Sequence, residues 1–159
     1  MIVVVVVSRF YEQPEGRFES RDRADISGAV RVGDGDSLEI GQTRIRLHGI
    51  DAVELAQHCK DDLGRDYACG EDAARTLQGL VRGRTVRCDE QHGIDQYGRV
   101  TAVCTTDGLD LNAAMVESGF AVAYRQHSLA YVPNEDRAKA GKRGLWAGSF
   151  EMPWDYRRE

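Results

Sequence analysis

The stretch Gly28-Ala29-Val30-Arg31-Val32-Gly33-Asp34-Gly35-Asp36-Ser37-Leu38-Glu39-Ile40-Gly41-Gln42-Thr43-Arg44-Ile45-Arg46-Leu47-His48 decides the fold. Val30 and Val32, then Leu38 and Ile40, then Thr43, Ile45 and Leu47 alternate with polar neighbours, the period of half-buried strands. Gly33-Asp34-Gly35 and Gly41-Gln42 supply the turns between them, because Gly and Asp tolerate tight-turn backbone. The result is a three-stranded β-meander. Upstream, residues 8–26 mix acidic and basic side chains without period and read as a solvated lead-in.

Downstream, residues 55–69 form a polar, Asp-rich loop, and a helix follows. Glu71 and Asp72 set negative charge in its first turn, Ala73, Leu77, Leu80 and Val81 make its apolar face, and Gly83 ends it. Segments 84–89 and 99–105 form a hairpin. Asp110 caps a short helix carrying Leu111, Met115 and Val116, which Gly119 stops. Segment 120–124 is apolar enough for another strand, and Pro133 opens a third helix that ends near Gly144. Five strands with a helix after the third and more helices at the end fit an α+β fold of OB type, a five-stranded β-barrel with about three helices. Pattern alone leaves other α+β folds open. The expected organisation is a lead-in or remnant of an N-terminal anchor over 1–27 and one domain over 28–159.

The 159 residues suffice for one core, and 42% hydrophobic with 30% charged residues describe a soluble globular chain. The net charge of −5 argues against a broadly basic nucleic-acid-binding face, although an enzyme needs only a local field of the right sign. The apolar run from Ile2 to Val7 is too short for a spanning helix, which needs about 20 residues, or for a signal h-region of about 7–15. It reads as a strand or as the stub of an anchor trimmed from a longer precursor.

Four cysteines, Cys59, Cys69, Cys88 and Cys104, allow three pairings. None shows the close spacing of a zinc site. Cys59–Cys69 would close the polar loop. Cys88 and Cys104 are symmetric about Gln96, inside the turn-like run from Gln91 to Gly98, so a hairpin would set them face to face at about 4.5 Å, within disulfide reach. Two disulfides imply an oxidising, extracytoplasmic setting, whether periplasmic, secreted or membrane-anchored; buried free thiols are the other reading.

Four segments hold residues suited to chemistry: Asp34-Gly35-Asp36-Ser37, Arg46-Leu47-His48-Gly49-Ile50-Asp51-Ala52-Val53-Glu54, Asp95-Gln96-Tyr97-Gly98-Arg99 and Gly144-Leu145-Trp146. Singly, each has a plainer reading as a turn, a solvated strand face or an anchor. Together and in this order they resemble the staphylococcal nuclease-like (thermonuclease) family, over residues 28–146. The four cysteines and the ending around Pro153-Trp154 are similar to its secreted or membrane-anchored bacterial members.

The resemblance implies a calcium-dependent nuclease acting on DNA or RNA and leaving a 3′-phosphate and a 5′-hydroxyl. Asp36 and Asp51, with the Ala52 carbonyl, would hold Ca²⁺, whose hard-cation chemistry favours such oxygen ligands. Glu54 would orient or deprotonate the attacking water, and Arg46 and Arg99 would grip the phosphate through their planar guanidinium groups. Tyr97 and Tyr124 are candidate base-stacking platforms. Val53 stands where the family usually has proline, so that restraint on the loop aiming Glu54 is missing. Arg44, Arg65, Arg82, Arg84 and Arg125 could add a basic rim, whereas His48, His58, His92 and His127 are too scattered for a ligand role. The expected partner is a DNA or RNA substrate, with no obligate protein partner and a monomeric state. Two other readings are a non-catalytic OB-fold module that binds nucleic acid or protein with a vestigial site, and a structural domain of the cell envelope.

Overall fold

The computed structural model describes residues 26–158, and its opening strand is split between the two edges of one sheet. β1 (Ile26–Gly28) pairs with β8 (Val86–Ile94), while β2 (Val30–Val32), one residue later, pairs with β3 (Ser37–Ile40). With β4 (Thr43–Leu47) and β9 (Val100–Thr106), the order is β1-β8-β9-β4-β3-β2. The chain bends at Ala29 so that consecutive residues serve both edges, which nearly closes the sheet into a barrel. Counting β1 and β2 as one bent strand, five strands make an OB-type barrel, the α+β architecture that the strand and helix order allows and the family resemblance implies.

Alternation fills the barrel. Leu38, Ile40, Ile45, Leu47, Val86, Cys88, Ala102 and Cys104 are buried in one cluster, which leaves Arg44 and Arg46 on the other face of β4. β4 and β9 run parallel with Arg46 beside Thr101, so that outer face is continuous with the end of the hairpin. Helix α1 (Cys69–Val81) buries Ala73, Leu77 and Val81, with Glu71 and Asp72 in its first turn. The two-residue β10 (Leu109–Asp110) pairs with β9 and leads into helix α2 (Leu111–Glu117), which Asp110 caps by accepting from Ala113 N and which buries Leu111, Met115 and Val116. α3 (Val132–Ala140) follows, and then a 3₁₀ turn (Gly144–Ala147) carries Trp146. A one-turn helix α4 (Pro153–Tyr156) lies beyond the expected three; four residues give no period to read. Among the described residues no helix is long and apolar enough to cross a membrane. The Ile2–Val7 segment and nearly all of the lead-in lie outside the described residues.

Both disulfides form, Cys59–Cys69 and Cys88–Cys104, the latter with Cα atoms 4.1 Å apart. Such cross-links belong to an oxidising compartment. The hairpin is longer than its sequence suggests, because the register Arg87↔Thr105 slips to Gln91↔Ala102 and again to Ile94↔Val100. These two irregularities carry β8 on to Ile94, and Gly93, at φ +101°, occupies backbone that other residues rarely adopt. Face-to-face arithmetic therefore holds at the disulfide and fails at the tip. The polar segment 55–69 contains a two-stranded ladder, β6 (Cys59–Lys60) with β7 (Asp66–Tyr67), too short for periodicity to show.

Strand β5 (Ile50–Ala52) carries the central aspartate and pairs with β11 (Ala121–Ala123), with Asp51 opposite Val122. Behind β11, buried Glu135 accepts from Ala123 N at 3.1 Å, Arg125 at 2.7 Å and Lys139 at 2.9 Å. Nearby, Glu117 accepts from Arg137, Asn134 and Arg143 and so ties α2 to α3. The hydrogen bonds from Arg137, then those from Asn134 and Arg143, hold the Glu117 carboxyl down at about 2, against an ordinary 4.5. At Glu135, burial alone would raise the value, and the bonds from Arg125, Lys139 and Ala123 N turn the shift downward. A depressed carboxylate contributes stability that is present above its unfolded value and lost as pH falls through its folded one. The urea midpoint is therefore expected to fall modestly as pH drops from about 4.5 to 2, and Glu117→Gln should flatten that fall. Equal pH slopes for the two proteins would exclude this latch.

Candidate active site

Gly35 explains the Asp-Gly-Asp turn. A Cβ there would stand 2.7 Å from the Ala52 methyl and 2.8 Å from that of Ala73, so only glycine lets the turn lie against β5 and α1. Asp34 keeps a turn role, its Oδ1 accepting from Asp36 N at 3.1 Å and Ser37 Oγ at 2.6 Å. That local cap directs the buried Asp36 side chain toward β5, where its Oδ2 accepts from Ala52 N at 2.9 Å.

Arg46 is the hub. One terminal nitrogen donates to Asp36 Oδ1 at 2.7 Å and the other to Asp51 Oδ1 at 2.8 Å, so a single guanidinium holds both carboxylates. Burial pushes the Asp36 carboxyl up to about 7, and Arg46 offsets only part of that shift. For Arg46 burial works against the charge, but Asp36 and Asp51 more than restore it.

Glu54 follows β5, and the restraint expected of proline comes from elsewhere. Val53 is buried with Cys59, Cys69, Ala73 and Leu145. Buried Gln57 accepts from Glu54 N at 3.1 Å through its side chain, and its own N donates to Glu54 O at 2.8 Å. A Cβ on Gly70 would lie 1.9 Å from Glu54 O, so the start of α1 abuts this loop directly. The loop is fixed by packing and by Gln57.

At the hairpin tip Asp95 Oδ1 accepts from Tyr97 N and Arg99 N, both at 2.9 Å, and Asp95 Oδ2 takes Arg99 Nε at 2.8 Å. This ion pair uses the edge nitrogen and leaves the terminal nitrogens of Arg99 clear of it. Tyr97 is 63% exposed, with the Arg99 guanidinium 5.4 Å from its ring centroid, so the ring is available for stacking and does not pack on the barrel. Tyr124 is half-buried, edge-on to His127 at 4.6 Å and tilted against Trp154 at 5.8 Å.

Asp36, Arg46, Ala52, Glu54, Arg99, Tyr97 and Tyr124 line one open cavity of about 610 Å³, and Asp51 lies just behind it through Arg46. Seven of the eight residues singled out for the chemistry thus line one cavity, and the eighth, Asp51, is buried behind it. The basic rim does not form: Arg65 pairs with Asp61, Arg84 with Asp107 and Arg125 with Glu135, and only Arg44 reaches the cavity. Among the described residues, no group of three or more His, Cys or carboxylate side chains stands ready to hold a metal; the carboxylates face guanidinium groups.

One of those groups is a residue that sequence reading missed. Arg157, just after α4, donates to Asp51 Oδ2 at 2.8 Å, Asp51 Oδ1 at 3.0 Å and Glu54 Oε1 at 2.7 Å. The local sequence Tyr156-Arg157-Arg158 carries no signal for this, since its partners lie far back in the chain.

A family model described as Staphylococcal nuclease homologue matches residues 44–148. The chain belongs to this family. It is 39% identical over 129 residues to "Succinoglycan biosynthesis protein ExoI" of Rhizobium meliloti (strain 1021), covering 79% of this chain and 67% of that one. It is 36% identical over 148 residues to an "Uncharacterized endonuclease" of Escherichia coli, covering 85% and 88%. With "Protein ParB" of Escherichia coli the identity is 34% over 155 residues, covering 86% and 81%. The matched span contains Arg46, Asp51, Glu54 and Arg99 and begins after Asp36.

Proposed function

We propose that this chain is a calcium-dependent endonuclease that hydrolyses phosphodiester bonds of DNA or RNA outside the cytoplasm. The observation that carries this reading is the convergence of Asp36, Arg46, Glu54 and Arg99 on one cavity, with Asp51 held at its back. Membership of a nuclease family, relatives named endonucleases and the two disulfides support it.

The donor set fits a hard divalent cation. Asp36 and Asp51 are buried carboxylates close enough for one guanidinium to span them, and the adjoining Ala52 carbonyl is a third oxygen. The carboxyl groups of Asp36, Asp51 and Glu54 meet two guanidinium groups, Arg46 and Arg157, and a bound cation would favour the charged form of Asp36. When bound, Ca²⁺ would supply Lewis-acid polarisation of the scissile phosphate. Glu54 accepts the proton of the attacking water as the water oxygen bonds to phosphorus. The bond to the 5′ oxygen breaks and that oxygen takes a proton from solvent, leaving a 3′-phosphate and a 5′-hydroxyl. Arg46 and Arg99 donate hydrogen bonds to the equatorial oxygens, where negative charge grows in the transition state. Tyr97 and Tyr124 give flanking bases aromatic faces at the rim.

The test is degradation of single-stranded DNA and RNA by purified protein in Ca²⁺, with and without chelator. Cleavage that the chelator stops is expected. A gel shift without cleavage over hours in Ca²⁺ would favour a binding module.

A further inference from the structure

We propose that Arg157 is a displaceable plug: its guanidinium sits where the site would take a divalent cation and must swing out before the ion and substrate can be held. The proposal rests on Asp36 and Asp51 being the cation's ligands.

All four oxygens of those carboxylates are already engaged. Asp36 Oδ1 accepts from Arg46 and Oδ2 from Ala52 N, while Asp51 Oδ1 accepts from Arg46 and Arg157 and Oδ2 from Arg157. Each carboxylate oxygen has two lone pairs, but Asp51 Oδ1 already accepts twice, and two guanidinium groups beside a cation repel it, so one arginine must leave. The Arg46 side chain is 16% exposed, rises from a barrel strand paired on both sides and also reaches Ile50 O. The Arg157 side chain is 39% exposed and follows a single helical turn. Arg157 is therefore the one free to go.

Its departure would serve two ends. The same guanidinium that caps Asp51 also binds Glu54 Oε1, so its exit admits the ion and frees the proposed base. Other contacts keep the segment in place meanwhile. Gln57 Nε2 donates to Glu151 O at 2.8 Å, and Trp154 lies against Tyr124. The swing is thus one of a tethered side chain.

A site competent only while the plug is out has its apparent affinity reduced by the fraction of time it is open. Wild type, Arg157→Ala and Arg157→Lys should be titrated with calcium chloride at fixed ionic strength, by calorimetry or by the calcium-dependent rise in Tm. Arg157→Ala is expected to bind calcium at least about ten-fold more tightly than wild type, with Arg157→Lys, which keeps a charge but loses the fork, between them. Should the alanine variant fold poorly, the lysine variant still reports the direction. Equal or weaker calcium affinity in both variants would overturn the plug and make Arg157 a structural or phosphate-gripping group. Adding Asp51→Asn to Arg157→Ala should abolish the binding. If calcium binding survives that change, the ion lies elsewhere and the metal-site reading itself fails, together with the plug.

Discussion

Glu54→Gln is expected to lower kcat for phosphodiester cleavage about 10²–10⁴-fold, the usual contribution of a positioned general base. Glutamine keeps the size of the side chain and leaves the backbone bonds to Gln57 untouched, so the loop stays in place. What disappears is the carboxylate at the cavity rim, with one half-exposed ion pair to Arg157 that is worth little to stability. Steady-state kinetics on single-stranded DNA, with Tm measured alongside, separates chemistry from folding. An unchanged rate would remove Glu54 from the mechanism.

Arg46→Ala should damage stability and catalysis together. Its guanidinium is the link between buried Asp36 and buried Asp51, and removing one partner of a buried pair commonly costs about 3–5 kcal/mol. Loss of a donor to the transition-state oxygens adds a fall of about 10²–10³-fold in rate. Calcium should restore part of the lost stability, because a cation can take over the charge left unpaired. Arg99→Ala makes the contrast. Its partner is Asp95 on the hairpin tip, so the rate should fall over a similar range with only a small change in the urea midpoint. A stable Arg46→Ala protein would contradict the hub that the ion pairs describe.

Much of this arrangement was legible in the sequence. The meander over 28–48 shows in a period of two, and the Cys88–Cys104 pairing follows from hairpin symmetry, because the register next to the disulfide is regular. Site residues announced themselves where turn or strand chemistry forced unusual neighbours, as in Asp34-Gly35-Asp36, with glycine wedged between Ala52 and Ala73. What stayed hidden was what depends on tertiary contact. The β8 irregularities move the hairpin tip, yet no residue but Gly93 marks them. Gln57 replaces the restraint expected of proline through a side-chain bond visible only once the loop is folded. Arg157 reads as one of two adjacent surface arginines until α4 is placed against the barrel. The expected basic rim failed for a similar reason, since Arg65, Arg84 and Arg125 each meet a carboxylate that composition cannot locate.

The most direct test is a crystal structure of the protein with Ca²⁺ and a nucleoside 3′,5′-bisphosphate. The account predicts one ion about 2.3–2.6 Å from oxygens of Asp36, Asp51 and Ala52, with a phosphate between Arg46 and Arg99 and the Arg157 guanidinium turned away. An ion bound elsewhere, or a nucleotide outside the cavity while Arg157 still caps Asp51, would contradict it.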